Sequence, residues 1–229
     1  MSLLRWTALI ALLACLVVAS RSTSAQTQER VIYASVVDRS GAPVTDLAAR
    51  DFIVREDSFA REVLRVTRAT DPMQIAVLID NSQAAESHVN DLRRAVTAFV
   101  KATGGNNEIA LITLADRPTI LVEYTRNLDS LEKGAGGIFA QSGSGARLID
   151  GIAEISIGLR KRDAPRPVIL VIAMQGPEMS DRLHDDVLSR LRDSGAALHV
   201  LLLTSGGGAF LDDPGREREL VIARGTHDT

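Results

Sequence analysis

Gln74-Ile75-Ala76-Val77-Leu78-Ile79-Asp80-Asn81-Ser82-Gln83-Ala84 is the stretch on which the fold turns. Its apolar run, Ile75 to Ile79, is short, unbroken and closed abruptly by Asp-Asn-Ser, which predicts a strand buried on both faces. The carboxyl end of such a strand delivers Asp80 and Ser82 to the rim of a parallel sheet, where open α/β folds place their ligands. Asp, Asn and Ser are equally at home capping a helix. On this stretch alone a cap on a helix beginning near Glu86 and a binding role both remain open.

Outward from it, strand and helix alternate. Leu92, Ala95, Val96, Phe99 and Val100 fall at helical spacing before Gly104-Gly105. Glu108 to Leu114 reads as a second strand. Asp116-Arg117-Pro118 turns it into a third, Thr119 to Tyr124, antiparallel because the link is so short. A Gly-rich stretch, 134–145, precedes a helix marked by Leu148, Ile152, Ile155 and Leu159. Pro167 to Ala173 is a fourth apolar strand, a helix runs from about Ser180 to Arg192, and Leu198 to Leu203 is a fifth strand. Arg216 to Arg224 could form a short last helix. The expected fold class is α/β: a Rossmann-like, mostly parallel sheet with helices on both faces.

Before the central strand the texture is β. Val31 to Val37, Phe52 to Glu56 and Glu62 to Val66 read as strands, with turns at Asp38–Pro43 and Asp57-Ser58 and a short helical piece at Leu47–Arg50. So small a segment cannot bury a core of its own and is expected to pack on the domain that follows. The chain opens with Arg5, an apolar run from Ala8 to Ala19, and the small residues Ser22-Thr23-Ser24-Ala25, the pattern of a secretory signal peptide. That run is short for a span of about 20 residues. Export to the periplasm or beyond is therefore expected, with no membrane span in the mature chain. Cys15 is the single cysteine; lipid attachment through it is the weaker reading, because the apolar run continues past it. The expected organisation is 1–25 signal peptide, 26–70 β-rich leader and 71–225 main domain.

With 45% hydrophobic residues and a net charge of -3, the 229-residue chain is globular and carries no basic stripe for nucleic acid. Arg160, Lys161, Arg162 and Arg166 read as a solvated helix end. Gly143-Ser144-Gly145 and Gly206-Gly207-Gly208 match no phosphate-loop pattern. His88, His184, His199 and His227 show no zinc spacing, and His199 reads as a core or strand-end residue. Ser82 lacks the G-x-S-x-G elbow of a hydrolase. Asp80 lacks the second acid of an aspartyl phosphotransfer site. An enzyme is not expected.

Asp80-Asn81-Ser82-Gln83-Ala84 after a buried strand resembles the Asp-x-Ser-x-Ser motif of von Willebrand factor A (VWA) domains. Val44 to Leu47 and Asp51 to Asp57 are similar to the leader of exported bacterial VWFA-related proteins. Gly143 to Asp150 resembles the family's Gly-Gly-Thr-x-Leu-x-Asp segment, and Ile172 to Gly176 falls where the family has a strand ending in Thr-Asp-Gly. The resemblance implies a VWA-like fold, normally finished by one more strand and helix; here that last strand is expected to be lacking, leaving the fifth strand with an open edge.

The resemblance also implies a Mg²⁺ adhesion site, from which this chain departs. Asp80 and Ser82 match, whereas Ala84, Ala146 and Gln175 stand where the family has two hydroxyls and an aspartate. Mg²⁺ demands near-octahedral oxygen coordination, so one carboxylate and one hydroxyl imply at best millimolar binding. Glu178 and Asp181 could substitute, but read from the residues they are a solvated loop carboxylate and a helix N-terminal acid. No metal or other cofactor is expected; were Mg²⁺ held, Asp80 and Ser82 would hold it. The expected function is non-catalytic, metal-independent protein binding by the rim residues Asp80, Asn81, Ser82, Ala84, Gly145, Ala146 and Gln175. Metal-bridged adhesion and a hydrolase or phosphotransfer enzyme are the alternatives.

Overall fold

The computed structural model describes residues 29–204 and 212–229; the signal-peptide pattern, Cys15 and Gly206-Gly207-Gly208 lie outside them. The chain divides into two compact units, Met1–Leu64 and Arg65–Thr229.

In the first unit, β1 (Val54–Glu56) and β2 (Phe59–Arg61) form an antiparallel hairpin. Asp57 and Ser58, both at positive φ, make its two-residue turn, the conformation that matches strand twist. Glu56 consequently pairs with Phe59. The second strand therefore starts at Phe59, and Glu62–Val66, expected as a strand, runs past the end of its partner. Val31–Val37 is not a strand either; only the Val37–Pro43 bridge remains there. Ala49–Asp51 is a 3₁₀ turn.

The second unit contains β3 (Gln74–Ile79), β4 (Glu108–Thr113), β5 (Thr119–Thr125), β6 (Pro167–Met174) and β7 (Ala197–Leu203). Their order is β5-β4-β3-β6-β7, with β5 antiparallel to β4 and every other pair parallel. The helices are α1 (Val89–Thr103), α2 (Leu128–Gly136), α3 (Leu148–Lys161), α4 (His184–Ser194) and α5 (Asp213–Asp228).

Alternation along β3 sorts the core into two layers. Ile75, Val77 and Ile79 pack with Leu92, Val96 and Val100 of α1 and with Leu131 and Ala135 of α2. Ala76 and Leu78 join Leu148, Ile149 and Ile152 of α3, Val187 and Leu191 of α4 and Val221 of α5. Helices on opposite faces make β3/β6 the point where the winding reverses, the usual place for a site in such sheets.

Three helices depart from the expected pattern. A 3₁₀ segment, Gln83–His88, intervenes before α1. The stretch read as Gly-rich turn contains the end of α2, begun by Asn127, whose side chain accepts from the Ser130 amide at 2.9 Å. Gly134 is there for close approach: a Cβ on it would lie 2.2 Å from Val122 Cγ2 of β5. α4 starts at His184, so residues 177–183 are loop. At the opposite edge β7 pairs with β6 alone among the described residues. His199, expected as a core or strand-end residue, is exposed within β7 beside Leu201 and Leu203. Of the basic cluster, Arg162 lies over the Tyr124 ring, 4.6 Å from its centroid.

Candidate functional site

Three chain segments meet beyond the carboxyl ends of β3 and β6: residues 80–84, 139–147 and 174–181. Asp80 is 1% exposed. Its Oδ1 accepts from the Ser82 amide at 2.9 Å and its Oδ2 from the Met174 amide at 3.0 Å, across the point of reversal. Asn81 is buried too. Its Oδ1 accepts from Ala115 N at 2.9 Å, its Nδ2 donates to Phe139 O at 3.0 Å, and its own carbonyl accepts from Gln141 N at 2.8 Å. One side chain thus ties three loops together. Ser82 begins the 3₁₀ segment without a side-chain cap bond, and its buried Oγ has no hydrogen-bond partner among the described residues. Neither Asp80 nor Ser82 caps α1, which begins at Val89.

Gly145 and Ala146 are buried in the second segment. Ala146 N donates to Pro177 O at 3.1 Å and its carbonyl accepts from Met179 N at 2.7 Å. A Cβ on Gly145 would fall 2.3 Å from Met179 Cγ, so glycine is what lets that side chain lie across the loop. Ala84 is half-buried, and a Cβ on Gly176 would come within 2.7 Å of its methyl. Gln175 is half-buried and its backbone N–H donates to Leu203 O at 3.0 Å.

Glu178, expected as a solvated loop carboxylate, is 2% exposed. Its Oε1 accepts from the Leu148 amide at 3.0 Å and from Ser180 Oγ at 2.5 Å, and Ser180 Oγ also accepts from Asp150 N at 3.1 Å. The carboxyl answers the unpaired amides at the start of α3, which draws it inward. Burial pushes its pKa up to about 7, against the lowering effects of the Ser180 hydroxyl, the Arg218 charge and the α3 amides. Asp181 lies outside any helix; it is exposed and accepts from Arg147 Nη1 at 2.8 Å, while the same Nη1 reaches Asp150 at 2.7 Å.

Of the side chains that the resemblance assigns to a Mg²⁺ site, only Asp80 and Ser82 are present. Both Asp80 oxygens are engaged by backbone amides, Ala84 and Ala146 offer no side-chain oxygen, and Glu178 is turned to α3. Among the described residues no cluster of three His, Cys, Asp or Glu side chains could hold a metal ion. Among the polar residues that the rim exposes, such as Gln83, Ser142 and Asp181, stand large apolar side chains: Phe139 at 57% exposure, Met179 at 51%, and Leu183 just beyond. Sequence reasoning missed all three, because a lone apolar residue in a loop carries no periodic signal.

No family model and no curated protein sequence matches the chain. Solved structures do. Proximal thread matrix protein 1 from the mussel byssus aligns at TM-score 0.51 and 12% identity, over 66% of this chain and 41% of that one. A von Willebrand factor type A structure from Catenulispora acidiphila aligns at 0.49 and 11%, over 70% and 41%. The vWF domain of the type V pili tip protein Mfa5 from Porphyromonas gingivalis aligns at 0.41 and 17%, over 46% and 38%. The chain thus spans less than half the length of each. At these identities the likeness concerns the fold. No helix among the described residues is long and apolar enough to cross a membrane.

Proposed function

We propose that this chain, whose fold is VWA-like, is an exported, non-catalytic protein-binding module that works without a metal bridge. The observation that carries the proposal is the inversion of its rim. The polar groups that match the adhesion motif, Asp80 and Ser82, are buried, while Phe139 and Met179 stand out from the loops those groups help to hold. Aromatic and Met side chains are enriched in interface cores, where a few such anchors carry most of the binding energy. Asn81 fixes the base of the Phe139 loop and the Ala146–Met179 pairing fixes the other, so the anchors are presented preorganised, which lowers the ordering cost of association. Asp80, Asn81, Ser82, Ala84, Gly145, Ala146 and Gln175 form the supporting floor of this surface rather than its contacting groups. Export rests on the signal-peptide pattern of residues 1–25.

Thermal melting in EDTA and then in Mg²⁺ or Mn²⁺ tests the metal-free half of the proposal. A site of millimolar affinity would raise stability by about 1 kcal/mol at several-fold excess metal. The expected result is an unchanged midpoint; a rise that Asp80→Asn abolishes would restore metal-bridged adhesion. A photo-cross-linking residue at position 139 or 179, applied to extracts of the source cells, tests the other half. Adducts are expected from both positions and not from one on exposed α1, such as Arg94. Equal labelling from all three would remove the rim as the contact surface.

A further inference from the structure

Arg216, Glu219 and Arg224 on α5 are exposed, yet Arg218 of the same helix is 1% exposed and heads the largest fully buried side chains among the described residues. A guanidinium is permanently charged and carries five N–H donors in a planar fork. Its removal from water is unfavourable unless groups inside the protein answer it. Among the described residues the exposed carboxylate of Glu219, on the same helix, lies 3.9 Å from Arg218 Nη2, and Arg218 Nε has no hydrogen-bond partner. Two further groups that answer the charge belong to the segment between β6 and α4. Arg218 Nη1 donates to the Gly176 carbonyl at 3.0 Å, and its charge acts on the buried carboxyl of Glu178, favouring the ionised form. Glu178 grips the Leu148 amide and Ser180 Oγ. Between Gly176 and Glu178 the Pro177 carbonyl accepts from Ala146, and Met179 N donates back to Ala146. The arginine therefore touches one end of a short loop whose middle is stitched to Gly145-Ala146 and whose far end holds α3.

We propose that Arg218 is a positioning residue: from α5 its buried guanidinium fixes the Gly176–Ser180 loop on the N-terminus of α3 and so holds Met179 at the rim. The significance of that placement rests on the binding role argued above, but the placement can be tested with no partner, so failure of either leaves the other standing. Ordinary core filling predicts something different, since removing a core side chain lowers protection across the whole unit.

Amide hydrogen exchange separates the two. In Arg218→Met, protection at the Ala146, Leu148 and Met179 amides is expected to fall about tenfold, while the β3 and β4 ladder amides keep theirs to within about threefold. Arg218→Lys keeps the charge but loses the fork, and a smaller loss, about threefold, is expected at the same three amides. Unchanged protection at those amides, or a loss shared equally by the ladder, overturns the proposal. Should Arg218→Met not fold, Arg218→Lys decides by the same criterion: a loss confined to the three amides supports it, and no loss or a general loss overturns it.

Discussion

Asp80→Ala is expected to lower unfolding stability by about 2–6 kcal/mol, because it orphans two buried amides at about 1–3 kcal/mol each. Those amides, Ser82 N just beyond the end of β3 and Met174 N at the end of β6, flank the point of reversal, and the carboxylate is the brace between them. Asp80→Asn retains one acceptor oxygen and is expected to cost less. Ser82→Ala should behave oppositely despite its place in the same motif. Its Oγ is buried without a partner among the described residues, so removing it is expected to change stability by less than about 1 kcal/mol. Denaturant titration reads all three as shifts in Cm at constant m. The loss in Asp80→Ala should be the same in EDTA as in Mg²⁺. A cost under about 0.5 kcal/mol would show that Asp80 is not structural and reopen it as a residue kept for a ligand.

Glu178 should make the protein less stable as the pH rises from the carboxylate range to neutrality. Its pKa in the folded protein, about 7, lies above the usual carboxylate value of 4.5, chiefly because of burial. The native state thus binds a proton that the unfolded state has already released. The resulting stabilisation is fully present below about pH 4.5 and is gone above about pH 7. At about 1.4 kcal/mol per pKa unit the difference amounts to about 3 kcal/mol across that window. Glu217 acts in the other direction and at lower pH. Its carboxyl is held below its usual value by the His184 backbone and side-chain hydrogen bonds, so its contribution disappears only as the pH falls below the carboxylate range. Comparing wild type with Glu178→Gln at each pH isolates the first effect. The stability difference should move in favour of the variant by about 3 kcal/mol between pH 4.5 and pH 8. A difference that stays flat with pH would mean that Glu178 titrates as an ordinary exposed carboxylate.

The architecture was legible because the signals that set it are local and repetitive. Ile75–Ile79, Ile109–Ile112 and Pro167–Ala173 are apolar without interruption because strands buried on both faces leave no position for water. Leu92, Val96 and Val100 are spaced for one helix face. The hairpin turn at Asp57-Ser58 was legible too, but not its consequence: a two-residue turn sets the register so tightly that the following strand had to begin at Phe59. α2 was missed because Gly134 and Gly136 read as breakers. One of them is demanded by contact with Val122, a residue distant in sequence.

The candidate site divides in the same way. Sequence alone identified the segments that converge, since Asp80, Ala146 and Gln175 each stand at or near the end of a recognisable element, and it determined that Ala84 and Ala146 carry no side-chain oxygen. Which polar groups face inward was decided only by tertiary structure. Asp80 and Glu178 read as available carboxylates until the amides of Met174 and Leu148, contributed by other segments, are brought within hydrogen-bonding distance. Arg218 was not singled out by the sequence; the buried stripe Gly215, Arg218, Val221 and Gly225 along α5 is a result of the fold. Hydrophobic periodicity is a property of consecutive residues and survives in one dimension. Whether a charged group is solvated or buried depends on partners that only the closed sheet assembles.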